Sequence, residues 1–267
     1  MKPALKTPIS YYGGKQNLVK HIVPIIDKTP HDLYGEVFLG GAAIFFSKKP
    51  SKVEVINDTN KELMNFYYVA KTRFVELEKR VAVTLHSRWM HRDAVVIYES
   101  PHLFDEIERA WALWVLSSQT FCAMLDGSWG YDLSKNTTSK KIANKVAEFT
   151  IEIAQRLQNV QLESSDANYI IKSRDTAKSL FYCDPPYYNS NCGHYDGYSI
   201  EDYTGTLQTL SEIKGRFLLS SYPSDVLSEY TKQNGWKTKL FEQGVSVNAK
   251  GGYVKRKVEV LTANFNL

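Results

Sequence analysis

The chain has 267 residues, 43% hydrophobic and 23% charged, enough apolar material for one large α/β domain or a domain carrying a smaller insert. That balance excludes a wholly disordered, collagenous or disulfide-dense protein. The net charge of +4 excludes a general polycation, so any nucleic-acid contact must rest on local basic patches.

The first ten residues lack the apolar core of a signal peptide. Residues 17–26 predict a helix with Leu18, Ile22 and Ile25 on one face. Apolar runs at 36–39 and 53–56 predict buried strands. Residues 60–77 repeat Leu63, Phe66, Tyr67 and Ala70 at helical spacing behind a capping Thr59 or Asn60. The stretch 66–155 then breaks the rhythm of strand and helix. It is mostly helical and too long for a loop, so it reads as an inserted subdomain. Within it, the apolar run from Ala110 to Leu125 is interrupted by Ser117, Ser118, Gln119 and Thr120 and is too short to cross a bilayer. It predicts a buried helix. Strands resume at 160–162, 180–183, 217–220 and 258–262, and residues 245–254 predict a hairpin around Gly251-Gly252. Strand alternating with helix implies a largely parallel sheet covered on both faces, assembled from 1–65 and 156–267. The three cysteines, Cys122, Cys183 and Cys192, form no C-x-x-C pair and fit a reducing, cytoplasmic location.

The sharpest chemical feature is Asp184-Pro185-Pro186-Tyr187, directly after the strand 180–183. A rigid turn would explain the prolines alone, but ligands of open α/β sheets sit at the carboxyl ends of strands. Two prolines stiffen the backbone, so the Asp184 carboxylate and a carbonyl can together accept both hydrogens of one planar amino group. Tyr187 offers a face on which a base can stack. The second feature is the strand 36–39 running into Gly40-Gly41, with Asp58 eighteen residues after Gly40 at the end of the next strand. A glycine turn with a carboxylate about 20 positions later is the arrangement that binds adenosine through its ribose hydroxyls. The glycines do not form G-x-G-x-x-G, which counts against a nicotinamide cofactor. Gly14-Lys15 is followed by Gln16, which excludes a phosphate-cradling P-loop. The third feature is Tyr11-Tyr12-Gly13-Gly14-Lys15, where adjacent glycines let the backbone approach a ligand closely.

Together these motifs resemble the DNA adenine-N6 methyltransferases of the Dam type (the D12 class, alpha group), phage members included. The resemblance runs from Tyr11–Lys15 through Phe38, Gly40 and Asn57-Asp58-Thr-Asn60 to Tyr182-Cys-Asp184-Pro-Pro-Tyr187, and on into Leu219-Ser220 and Lys257-Val-Glu259. It implies a Rossmann-like sheet with an inserted, mostly helical target-recognition subdomain at 66–155. It also implies contacts to S-adenosylmethionine from Tyr11, Lys15, Phe38, Gly40, Asp58 and Asp166, and a grip on the target adenine by Asp184, Pro185, Pro186 and Tyr187. Three departures stand out. Ala42 replaces a usual second glycine, Ser220-Ser221 replaces Ser-Asn, and 123–126 reads Ala-Met-Leu-Asp where the DNA-reading hairpin often carries Arg and Asn.

The implied reaction is methyl transfer to N6 of a flipped adenine in double-stranded DNA, in the cytoplasm of a bacterial or phage-infected cell, with no obligate protein partner. Cytosine N4 in DNA and adenine in RNA present the same exocyclic amine and stay open as acceptors, as does an inactive DNA-binding module. Basic clusters at Arg88 and Arg92, at Lys140 and Lys141, and at Lys255 and Arg256 are candidates for phosphate contacts. Lys135 and Lys145 extend the second of these. Trp129 and Tyr131, large aromatics in a glycine turn, are candidates for base or sugar contacts or for a small local core. The loop 188–198 reads as a flexible cover that orders when DNA arrives, or as a plain surface loop. Its Cys192 and His194 are too few for zinc, so no metal is expected.

Overall fold

The computed structural model describes residues 5–188, 198–244 and 256–267. The chain begins with α1 (Val19–Lys28), β1 (Leu33–Glu36), α2 (Ala43–Ser47) and β2 (Val53–Asn57). A helical run follows: α3 (Lys61–Thr72), α4 (Phe74–Ala82), α5 (Arg88–Glu99), α6 (Glu106–Gln119), α7 (Thr137–Ala147) and α8 (Glu152–Leu157). Strand and helix then alternate through β3 (Val160–Glu163), α9 (Ala167–Arg174), β4 (Ser179–Cys183), α10 (Ile200–Glu212), β5 (Arg216–Ser221) and α11 (Asp225–Asn234). The chain closes on β6 (Lys237–Gly244) and β7 (Arg256–Ala263).

Among the described residues, seven strands share one sheet in the order β3-β2-β1-β4-β5-β7-β6. β1 pairs parallel with β2 and β4, and β4 with β5, while β7 lies antiparallel between β5 and β6. This is the doubly wound Rossmann-like order with one antiparallel strand added beside the edge. Its direction reverses between β1 and β4, and ligands of such sheets bind beyond the carboxyl ends of the strands at that reversal. β1 leads there into Val37 and Phe38, and β4 leads into Asp184. No helix among the described residues is long and apolar enough to cross a membrane.

The chain groups into two compact units. A sheet unit comprises Pro30–Phe38, Ser51–Asn57 and Ser165–Leu267, and a helical unit comprises Met1–Thr29, Leu39–Pro50 and Asp58–Ser164. In the sheet unit, the two-residue period of a strand sorts side chains onto two faces. Val37, Val55, Phe181, Cys183, Phe217, Leu219 and Val260 belong to an apolar core with residues of α9, α10 and α11. Glu36, Tyr182, Ser220 and Glu259, out of phase with them, fall on the other face, and all four are buried. The helical unit is built round α6, which is buried from Ala112 to Gln119 on every side. A capping box of Asp105 and Glu108 starts that helix. The segment 66–155 lies wholly in this unit, which also holds residues before and after it.

Several elements differ from expectation. β1 comes earlier than the apolar run at 36–39, since Leu33–Glu36 pair with both neighbours and the pairing ends at the bond from Val37 N–H to Tyr182 O. Gly35 hides this strand from a hydrophobic pattern, yet it is required: a Cβ there would lie 2.8 Å from the Phe181 ring. The helix expected over 60–77 begins as foreseen, with the Asn60 side chain capping Glu62 and Leu63 N–H. It breaks at Arg73 (φ −134°, ψ 36°), and the new start brings Phe74 into a stack with Phe149 at 5.2 Å. β6 carries no apolar alternation because residues 237–240 are exposed at the sheet edge. The tip of the expected hairpin, 245–255, lies outside the described residues, as does 189–197 of the expected cover.

Candidate functional site

In the sheet unit the site is assembled by strand register. Glu36 stands opposite Tyr182 on β4, and Ser221, next to Ser220, opposite Val260, next to Glu259. The Tyr34 hydroxyl donates to Glu36 at 2.7 Å. Ser220 Oγ donates to Glu259 Oε1 at 2.9 Å. The Tyr187 hydroxyl donates to Glu259 Oε1 and also lies 3.2 Å from Asp184 Oδ1 and 3.4 Å from Ser220 Oγ. Its ring is tilted against Tyr222 at 4.3 Å. Glu36, Asp184 and Glu259 thus form an acidic row interleaved with phenols. Burial, then the Asp184 and Glu259 charges, hold the Tyr187 hydroxyl well above the usual phenol range. Burial, then Asp184, Glu36 and Glu259, do the same to Tyr182. Both phenols therefore stay protonated, and the Tyr187 hydroxyl serves as a donor.

Two other sequence candidates belong to this unit. Phe38 meets Tyr198 edge to face at 6.2 Å. Asp166 is exposed and caps α9, accepting from Tyr169 N–H at 2.9 Å. Asn57, fully buried, donates to Val37 O and Ser165 O and accepts from Ser165 N–H, which ties the ends of β1 and β2 to the start of α9.

In the helical unit the glycine turn is a braced structure. Gly40, at φ +48°, donates its N–H to Asp58 Oδ2 at 2.9 Å, and Asp58 Oδ1 accepts from Asn60 N–H at 3.0 Å. Tyr67 Oη donates to Gly40 O at 3.1 Å. Burial raises the Asp58 carboxyl, and the N–H groups of Asn60, Gly40 and Thr59 oppose the rise. Tyr11 packs directly on the turn: a Cβ on Gly40 would come 3.2 Å from its ring and one on Gly41 3.0 Å from its Cβ. The Tyr11–Lys15 segment is itself a turn, closed by Gly14 N–H to Tyr11 O at 3.0 Å with Gly13 at φ +74°. Lys15 Nζ donates back to Gly13 O at 3.1 Å. Ala42, where the family has glycine, sits at φ +56°, a conformation that costs a residue with a Cβ about 1–2 kcal/mol.

A second cluster in the helical unit unites three sequence candidates. The Arg88 guanidinium lies 4.7 Å from the Trp129 ring centre and 5.5 Å from that of Tyr131. The two rings stack at 5.6 Å and 18°. Gln119 organises them, accepting from Ser87 N–H and Trp129 Nε1–H and donating to Leu85 O. His86 adds its ring to Trp129 at 4.7 Å. Its Nε2 donates to Gly130 O at 2.8 Å, and its Nδ1 lies 2.7 Å from Ser139 Oγ. The preceding loop holds Cys122 and Ala123 at φ +56° and +57°. Arg92 is exposed on α5, and Lys140 and Lys141 are exposed on α7. Lys145 departs from the basic run it was expected to extend. Its amine is buried without a partner among the described residues and is pulled down to about 7 by burial and the Lys141 charge. Lys255 lies outside the described residues, and Arg256 is described only as the first backbone position of β7. Among the described residues no group of three or more His, Cys, Asp and Glu is placed to hold a metal.

Gln119, His86, Tyr67, Asn57 and Glu259 were not singled out as site residues from the sequence. The signal for Glu36 and Glu259 was present: a carboxylate inside an apolar strand is rare unless it is paired.

A seven-stranded, doubly wound sheet with helices between its strands defines an α/β fold of the Rossmann-like class. The model of the D12 class N6 adenine-specific DNA methyltransferases matches residues 11–247, and the chain belongs to that family. It is therefore an adenine-specific DNA methyltransferase, and membership implies DNA as substrate and S-adenosylmethionine as methyl donor. The type II methyltransferase M1.LlaDCHI of Lactococcus lactis subsp. cremoris is 27% identical over 236 residues, 81% of each chain. The modification methylase StsI of Streptococcus sanguinis is 24% identical over 215 residues, 73% of this chain and 31% of its own length. Among solved structures, an rRNA methylase from Streptococcus thermophilus aligns over 92% of this chain and 93% of its own, at 11% identity and a TM-score of 0.35. A precorrin-6y C5,15-methyltransferase from Geobacter metallireducens GS-15 aligns over 91% and 85%, at 9% identity and 0.39. These two likenesses are too distant to bear on activity.

Proposed function

We propose that the enzyme methylates N6 of an adenine turned out of double-stranded DNA, in the cytoplasm of a bacterial or phage-infected cell and without an obligate protein partner. The observation that carries the reading is the position of Asp184-Pro185-Pro186-Tyr187 at the carboxyl end of β4, beside the sheet's reversal point. A base inside the duplex cannot reach such a site, so the target must be extruded.

The residues fit S-adenosylmethionine on their chemistry. Asp58 is an acceptor suited to ribose hydroxyls, and the glycines of the two turns keep the backbone low. Tyr11, Lys15, Phe38, Gly40, Asp58 and Asp166 would hold it. When bound it supplies an electrophilic methyl group on a sulfonium. Asp184 and the Pro185 carbonyl accept the two N6 hydrogens, which localises a lone pair otherwise conjugated with the ring. The Tyr187 ring stacks on the base. Transfer between positioned partners needs little further assistance, since orientation alone can supply about 7–11 kcal/mol. Arg88, Arg92, Lys140, Lys141, Lys255 and Arg256 contact phosphates, and Trp129 and Tyr131 contact bases or sugars.

The test is methyl transfer from labelled S-adenosylmethionine to duplex DNA, single-stranded DNA and RNA, followed by nucleoside analysis. N6-methyldeoxyadenosine from duplex DNA is expected. Label on cytosine, label in RNA alone, or DNA binding without any label would overturn the proposal.

A further inference from the structure

We propose that Glu259 is a positioning residue for methyl transfer: by accepting the Tyr187 proton, it keeps the Asp184 carboxylate an acceptor for the substrate amine. The inference rests on the functional reading above. It follows from counting protons. Tyr187 has a single hydroxyl hydrogen, and the oxygens of Glu259, Asp184 and Ser220 all lie within reach. Ser220 sends its own hydrogen to the same Glu259 Oε1 at 2.9 Å, which takes one lone pair of that oxygen and leaves the other for Tyr187. Glu259 therefore collects both hydroxyl protons. Without that carboxylate, a charged acceptor still within reach of Tyr187 is Asp184 Oδ1, 3.2 Å away. A phenol donating there would occupy a lone pair that adenine N6–H needs and would lower the basicity of the carboxylate.

The position of Glu259 supports a dedicated role. It lies on β7, the antiparallel strand between β5 and β6, and is only 6% exposed. A buried carboxylate in an apolar strand is unfavourable unless its partners recover the desolvation penalty. Here both partners belong to the grip or stand beside it. The same contact fixes the Tyr187 hydroxyl and so the plane of its ring against Tyr222.

The experiment compares steady-state methyl transfer and thermal melting for wild type, Glu259→Gln, Glu259→Leu, Glu259→Asp, and the last two combined with Tyr187→Phe. Removing the acceptor should lower kcat at least about tenfold, the worth of one strong buried hydrogen bond, while KM for DNA changes far less. Glu259→Gln, which keeps an acceptor oxygen, should lose least. Adding Tyr187→Phe deletes the misdirected proton and should restore several-fold of the lost kcat, a sign of coupling that loss of packing would not produce. Where Glu259→Leu fails to fold, Glu259→Asp, which keeps the charge but withdraws the acceptor, decides the matter by the same recovery. Equal kcat in single and double variants, or a loss confined to KM, would overturn the proposal. A wild type that does not methylate adenine would instead overturn the functional reading.

Discussion

Around Asp184 the polar groups come from four adjacent strands, Glu36 on β1, Tyr182 on β4, Ser220 on β5 and Glu259 on β7, so backbone pairing fixes their spacing. Arg88, Trp129 and Tyr131 come instead from a helix start and a loop, held by a single glutamine and by ring faces. The first arrangement aims individual lone pairs and tolerates little displacement. The second offers broad faces and charges whose contributions are small and distributed. In the proposed reaction, losses in the sheet unit should therefore fall on turnover and losses in the helical cluster on DNA affinity.

Asp184→Ala is the strongest test of that division. Methyl transfer should fall by about a thousandfold or more, as when a preorganised polar group is removed from a reacting centre. Binding of S-adenosylmethionine, followed by calorimetry, should persist. Near-normal turnover would place the grip elsewhere.

Lys145 sharpens the comparison from within the basic run. Its amine is buried and unpartnered among the described residues, so Lys145→Met should stabilise the fold by about 1–3 kcal/mol in urea titrations. The sign with pH is defined. An unfolded lysine protonates below about 10.4, whereas the folded amine resists until about 7. Between these values the unfolded state holds more protons, so wild-type stability should rise from pH 7 towards pH 10 and level off below 7. Lys145→Met should flatten that rise and leave the salt dependence of DNA binding alone. The double variant Lys140→Met/Lys141→Met should instead reduce the salt slope by about 2.

Arg88→Ala should weaken DNA binding by about tenfold, through loss of a phosphate contact and of the cation over Trp129. Fluorescence anisotropy at two salt concentrations would measure it, and the change should enter KM for DNA. An equal fall in kcat with unchanged KM would erase the distinction between the two regions. The smallest effect is expected at Ala42, in the left-handed region at φ +56°. Ala42→Gly relieves that strain and should raise stability by about 0.5–1 kcal/mol, visible as a melting point higher by about 1–3 °C.

Much of this was legible because it is local. Asp184-Pro185-Pro186-Tyr187 announces itself through two prolines after an apolar run, and the Gly40 to Asp58 spacing reflects one helix and one strand between two sheet ends. The bond between Gly40 N–H and Asp58 closes that spacing as a physical contact. Asp166, by contrast, caps a helix, a task that composition does not distinguish from ligand binding. β1 was displaced by three residues because Gly35 looks unlike a strand residue until the Phe181 ring is seen beside it.

The sequence by itself determined the class of fold, the reversal-point motif and the family, since each depends on residue type and spacing within one short segment or its neighbour. Only the tertiary structure decided that Glu259 meets Tyr187 across 72 positions, that Gln119 joins Ser87 to Trp129, and that Lys145 turns its amine inward. Such pairings follow from strand register and helix packing, which bring together residues whose separation along the chain carries no periodic signal.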